Sequence, residues 1–173
     1  MTTSRYSRER GSAMVEFALV GIGIVFVLIC IFEMARGMWI YHTLAHTSKE
    51  ATRWLIVHGA ECQAKSACLT EATQGQLAAR VQYHGVGLLP QNLEIQVYRG
   101  STQVIGSGGS WVTVSSLSGS TTTWATVADR GLAATVAVRY PFRSALALLW
   151  PRSGRVNFTM VYLGANSWDT IQF

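Results

Sequence analysis

Four small groups of side chains in this 173-residue chain have the types and spacing that chemistry needs. Ser12 and Glu16 stand four residues apart, which puts a carboxylate one helical turn from a small polar residue. Glu33 and Arg36 have the i,i+3 spacing of a helical ion pair. His42, His46 and Glu50 follow each other at four-residue steps, the spacing at which helical histidines hold zinc. Cys62 and Cys68 lie six residues apart in a polar stretch, while Cys30 sits in an apolar one.

Each group also has a plainer reading: Glu16 reaches to the headgroups from the first turn, and Glu33 and Arg36 form a local ion pair where the apolar run ends. Lys49 and Arg53 share the helical face of His42 and His46, and two cations there oppose a divalent metal. That face reads as a solvated basic one, and no metal site is expected. A Cys62–Cys68 disulfide would close a short loop and stabilise by about 2 kcal/mol, but only in an oxidising compartment. Two unrelated thiols are the alternative. No Gly-x-Ser-x-Gly elbow, phosphate-binding loop or His-Glu-x-x-His run occurs. No catalytic or cofactor-binding residue is therefore expected, and the chain is not read as an enzyme. An envelope enzyme on an N-terminal anchor is the weaker alternative.

The elements that must position these groups begin with an apolar run. Phe17–Phe32 is free of charge, and extension back to Ser12 brings in Glu16. Those residues make about 31 Å of helix, against a hydrocarbon core of about 30 Å. Hydrophobic residues form 49% of the chain and charged ones 13%, well below the quarter typical of soluble domains. Arg5, Arg8 and Arg10 precede the run and mark its cytoplasmic end, while Trp39 and Tyr41 suit the far interface. Lys and Arg form no dense stripe with interleaved aromatics, so no nucleic acid is expected as a partner. A cleaved secretory signal competes with a retained span, with Ala35-Arg36-Gly37 as its loose cleavage site. Glu16 interrupts that apolar region, and the helical pattern runs on past residue 37.

An ionisable residue at the front of a span is a functional hypothesis by default. Here the order is a basic leader, Gly11, Ser12-Ala13-Met14-Val15, Glu16, Phe17, then the apolar run. This arrangement resembles the processing site of type IV prepilins. The stretches "GSAMVEFALV" and "FEMARGMWIYHTLAHTSKEATRWLI" further resemble the TadE-like pseudopilins of tight-adherence, or Flp pilus, systems. The resemblance covers about Gly11 to Arg53 and includes Val15-Glu16-Phe17, Glu33-x-x-Arg36, Tyr41 and Ala51-x-Arg53. It implies a prepilin peptidase cutting between Gly11 and Ser12, with Glu16 and Phe17 in the recognised motif. It implies a subunit of the bacterial inner membrane, single-pass, with a cytoplasmic N-terminus and a periplasmic C-terminal domain. Its partners would be the bilayer, other pilins or pseudopilins and the inner-membrane pilus platform, with Glu16, Glu33 and Arg36 as subunit contacts. The chain exceeds the length of a major Flp pilin, which points to a minor or priming role. A generic membrane-anchored periplasmic binding module remains the alternative, as does a secreted domain released by signal peptidase.

The expected organisation is a leader at 1–11, a transmembrane helix at 12–33, a helix extension at 34–58 and an outer domain at 59–173. No proline precedes Pro90, so one helix of about 70 Å runs from Ser12 to His58, and Gly59 would stop it. Ile40, Leu44, Ala51 and Leu55 share its apolar arc. The pattern beyond predicts a short helix over Thr70–Tyr83 capped by Thr70. It predicts strands over Leu93–Tyr98, Trp111–Ser115, Leu132–Tyr140 (ended by Pro141) and Arg155–Leu163. The Ser/Thr/Gly-rich stretch at 106–123 reads as a linker or a hairpin with long loops. Trp111 and Trp124 are candidates for touching a partner there, against a plain surface loop. Arg143–Trp150 is too short to span a membrane and reads as a cover over the core or an interfacial segment. The fold class is α+β: a long N-terminal helix, half membrane and half outer, packed on a small antiparallel sheet.

Overall fold

The computed structural model describes residues 5–58, 72–124, 131–144 and 160–171. Helix α1 (Arg5–Val57) is unbroken over 53 residues, about 80 Å. It begins ahead of Ser12 because nothing in residues 5–11, Gly11 included, carries a strong enough stop. Beyond it stand α2 (Gln74–His84) and strands β1 (Glu94–Arg99), β2 (Thr102–Ile105), β3 (Val112–Thr113), β4 (Ala133–Phe142) and β5 (Val161–Thr170). The strands form one antiparallel sheet in the order β2-β1-β4-β5, with β3 also pairing β1. The fold is α+β, as the sequence pattern implies.

The core lies between the second half of α1, α2 and one face of the sheet. Ile40, Leu44, Ala51 and Leu55 are buried on α1, and His42, His46, Lys49 and Arg53 are exposed. The sheet contributes Leu93, Ile95, Val97, Ala134, Val136 and Val138, and α2 contributes Leu77, Ala78 and Val81. The buried face of α1 also carries Thr47, Ser48 and Thr52. Their hydroxyls would be costly there unless bonded. Each donates to a carbonyl one turn back, at 2.8, 3.1 and 2.8 Å respectively. Thr52 also reaches Ser167 O on β5, at 3.2 Å.

Several boundaries differ from the sequence reading. Thr73, not Thr70, caps α2, and it forms a capping box with Gln76. The Trp111–Ser115 strand shrinks to Val112–Thr113, after which Val114–Leu117 turns into a 3-10 helix. The strand expected over Arg155–Leu163 is β5, which runs on from Val161 to Thr170; residues 155–159 lie outside the described ones. β2 was not expected. It folds back on β1 through Gly100-Ser101, with Gly100 at φ +58, the two-residue loop that suits a tight hairpin.

Pro141 does not end β4, which continues to Phe142. Along β4 the backbone groups alternate between neighbours. Ala133 O accepts from Gly100 N on the β1 side, and Leu132 O accepts from Ile171 N on the β5 side. Odd positions therefore face β1, and β1 pairs β4 no further than Arg139. The missing N–H of Pro141 falls where no strand needs it.

Trp124 is the largest fully buried side chain, at 1% exposure, and its Nε1–H donates to His58 O at 3.0 Å. It closes the core under the end of α1, so for Trp124 neither the plain surface loop nor the alternative of a partner-facing ring holds. Trp111 packs against Arg139. Gly59, the Glu61–Leu69 loop with Cys62 and Cys68, and residues 145–150 lie outside the described residues.

Candidate functional site

The front of α1 carries the first group. Gly11, Ser12, Glu16 and Phe17 lie on continuous helix, all exposed. Glu16 faces outward from the first turn of the apolar run, one turn beyond Ser12. Among the described residues it has no hydrogen-bond or ion-pair partner. A Cβ added at Gly11 would meet nothing within 4 Å. Neither residue supports the fold of its own chain.

From Gly11 to Trp39 no residue of α1 is fully buried, and the exposed side chains are large and apolar, among them Phe17, Ile22, Phe26, Ile31 and Phe32. Burial begins at Ile40. α1 is thus long and apolar enough to cross a membrane once, while its remainder belongs to the hydrophobic core of the folded domain. The boundary between the two regimes holds the second group. Arg36 Nη1 donates to Glu33 Oε1 at 3.4 Å, and the Arg36 guanidinium lies 5.0 Å over the Phe142 ring. The Glu33 side chain is 14% exposed, and its Oε2 is buried without a partner. The ion pair therefore links the helix to the end of β4 and leaves one carboxylate oxygen unused.

The histidine group does not converge. His46 meets His84 of α2 edge-on at 5.5 Å, and His42 meets Tyr41 at 6.0 Å. Glu50 pairs instead with Arg53 at 3.3 Å. An open depression between α1 and β5 is lined by His46, Lys49, Glu50, Arg53, Trp168 and Asp169, with both signs of charge interspersed.

Sequence reading missed one constellation. Arg139 lies between two rings, 4.2 Å from the Trp111 centroid and 4.3 Å from that of Tyr162, and pairs with Glu94 directly across from it on β1. The pair ties β1, β4, β5 and the approach to β3 on the face away from α1. Part of its signal was present: Glu94 and Arg139 both stand at outward positions of alternating strands. Only the pairing register joins them.

Comparison with known proteins bears on the helix. Residues 11–53 match the family model described as TadE-like protein, about a quarter of the chain. That match spans both the Gly11–Phe17 and the Glu33–Arg36 groups, so this helix is similar to that family over those residues. No curated protein and no solved structure matches it significantly.

Proposed function

We propose that the chain is a minor pilin or pseudopilin that acts in assembly or priming of a Flp-type pilus, as a structural subunit without an activity of its own. It enters the bacterial inner membrane with its arginines in the cytoplasm, and a prepilin-type peptidase cuts between Gly11 and Ser12. The periplasmic domain, carried on α1, then adapts or caps the assembly. The carrying observation is Glu16: a carboxylate at the front of an apolar span, inside the segment similar to the TadE-like family, with no hydrogen-bond or ion-pair partner among the described residues. A charge in that place is costly unless something outside the chain uses it. The new amine at Ser12, one turn away, or that of a neighbouring subunit, would supply a pairing cation.

Gly11 makes the processing step separable from folding. Added Cβ atoms meet open space there, and alanine favours helix over glycine by about 1 kcal/mol. Gly11→Ala should leave the fold intact and block cleavage, because Gly11 is the residue at which the resemblance places recognition and cutting by the peptidase. Intact mass of the membrane-extracted protein reads the result. The unsubstituted chain should begin at Ser12, and the variant should keep its leader. An N-terminus at Met38 in the unsubstituted chain would sink the pilin reading and support a secreted domain. An intact Met1 with function retained would favour the simple anchor. A cut after Gly37 would also sever the helix where it packs against Phe142, whereas Gly11 has nothing within 4 Å of an added Cβ.

A further inference from the structure

We infer that the base of the outer domain is itself a lipid-binding surface, seated on the headgroup layer beside the span. The inference rests on the membrane-anchor part of the function proposed above, and not on pilus assembly or processing.

The argument is one of height along α1. Ser12–Phe32 fills a hydrocarbon core of about 30 Å, and headgroups add about 5–8 Å on each side. At about 1.5 Å per residue, positions 33–38 cross that layer. Two separate parts of the outer domain come down to the same level. The turn after α2 meets the helix at Trp39: a Cβ on Gly87, which has φ +77, would stand 2.5 Å from that ring. The β4–β5 end meets it at Arg36 and Gly37 through Phe142, whose partner across the sheet is Val161.

These two parts expose apolar side chains at this level. Val86 is 68% exposed, Leu89 52% and Val161 55%, and Met38 and Trp39 are exposed beside them. A soluble domain has no reason to gather such residues at one end. Arg36 and Arg143, the latter also exposed, stand among them at headgroup height, where lipid phosphates would meet them. The occupant is fixed by continuity. The patch is an extension of the apolar surface of the span, and the bilayer that takes the span must lie against it. The opposite end offers a built-in contrast. Trp168, the most exposed aromatic ring of β5, lies in the depression with Thr52 and Arg53, about 28 Å beyond Glu33 along the helix.

The test uses the full chain in vesicles of phosphatidylethanolamine and phosphatidylglycerol. The photoreactive residue p-benzoylphenylalanine is placed in turn at Phe26, Leu89, Val161 and Trp168, and lipid adducts are read by mass. The expected result is adducts at Phe26, Leu89 and Val161, each several-fold above the yield at Trp168. Adducts at Phe26 but only protein cross-links or none at Leu89 and Val161 would overturn the seating and leave the anchor standing. Protein cross-links would show another chain covering the base. No adduct at Phe26 would overturn the anchor and the seating together. Equal yields at all four positions would mean non-specific adsorption and would also overturn it.

Discussion

A carboxylate at the front of an apolar helix contributes nothing to the outer domain it is attached to. Glu16 is exposed and has no hydrogen-bond or ion-pair partner among the described residues, so Glu16→Ala should leave thermal unfolding of the domain unchanged while pilus formation is lost. Normal pili from that variant would remove the docking role. Arg139 is the opposite case, a residue with no part in the proposed function and a large part in the fold. Its guanidinium is flat, which lets two rings stack on it while its Nε–H donates to Glu94 Oε2. Lysine keeps the charge and loses the plane. Arg139→Lys should cost about 1–2 kcal/mol, seen as a lower midpoint in thermal unfolding of the detergent-solubilised chain. An unchanged midpoint would mean that the stack is incidental. Glu16 was legible in sequence because charge in an apolar run is a local contrast. The Arg139 stack was not, because Trp111, Arg139 and Tyr162 are brought together only by strand pairing.

At the scale of elements, helices were easier to read than strand ends. The arc of Ile40, Leu44, Ala51 and Leu55 repeats at helical spacing, and burial follows it residue by residue. α2 was placed correctly but capped three residues too early. The better signal was Thr73 followed by Gln76, a capping box, and both of its hydrogen bonds form at 3.2 Å. Thr73→Ala should therefore cost about 1 kcal/mol, and Thr73→Ser should restore most of it, in the same unfolding measurement. The strands were set by alternation, which held for Ile95, Val97, Val136 and Val138. It failed where tertiary context decides. β2 is only four residues long, and its signal was the Gly100-Ser101 turn rather than any pattern in Thr102–Ile105. Pro141 reads as a terminator until its place beyond the end of β1 is known.

On the scale of the whole molecule, α1 carries an exposed apolar surface in its first half and a buried one in its second, and the change falls between Phe32 and Ile40. Every α1 residue in the hydrophobic core comes after Gly37, so the outer domain does not need the span to fold. What the span side contributes is the contact of Gly37 and Arg36 with Phe142, at the rim of the core rather than inside it. A chain beginning at Met38 should therefore fold, with Trp124 buried and the near-UV signature of the full chain. Loss of the Arg36–Phe142 contact should lower its stability by about 1 kcal/mol, since a part-exposed cation–π pair is worth no more. The same fragment would present Met38, Trp39, Val86 and Leu89 to water without a bilayer, and so should self-associate with rising concentration in analytical ultracentrifugation. Val86→Asp with Leu89→Asp should return it to a monomer, because both side chains are exposed and neither carries the core. A fragment that fails to fold would mean that the first half of α1 stabilises the domain, and that the division of this helix into span and core is drawn in the wrong place.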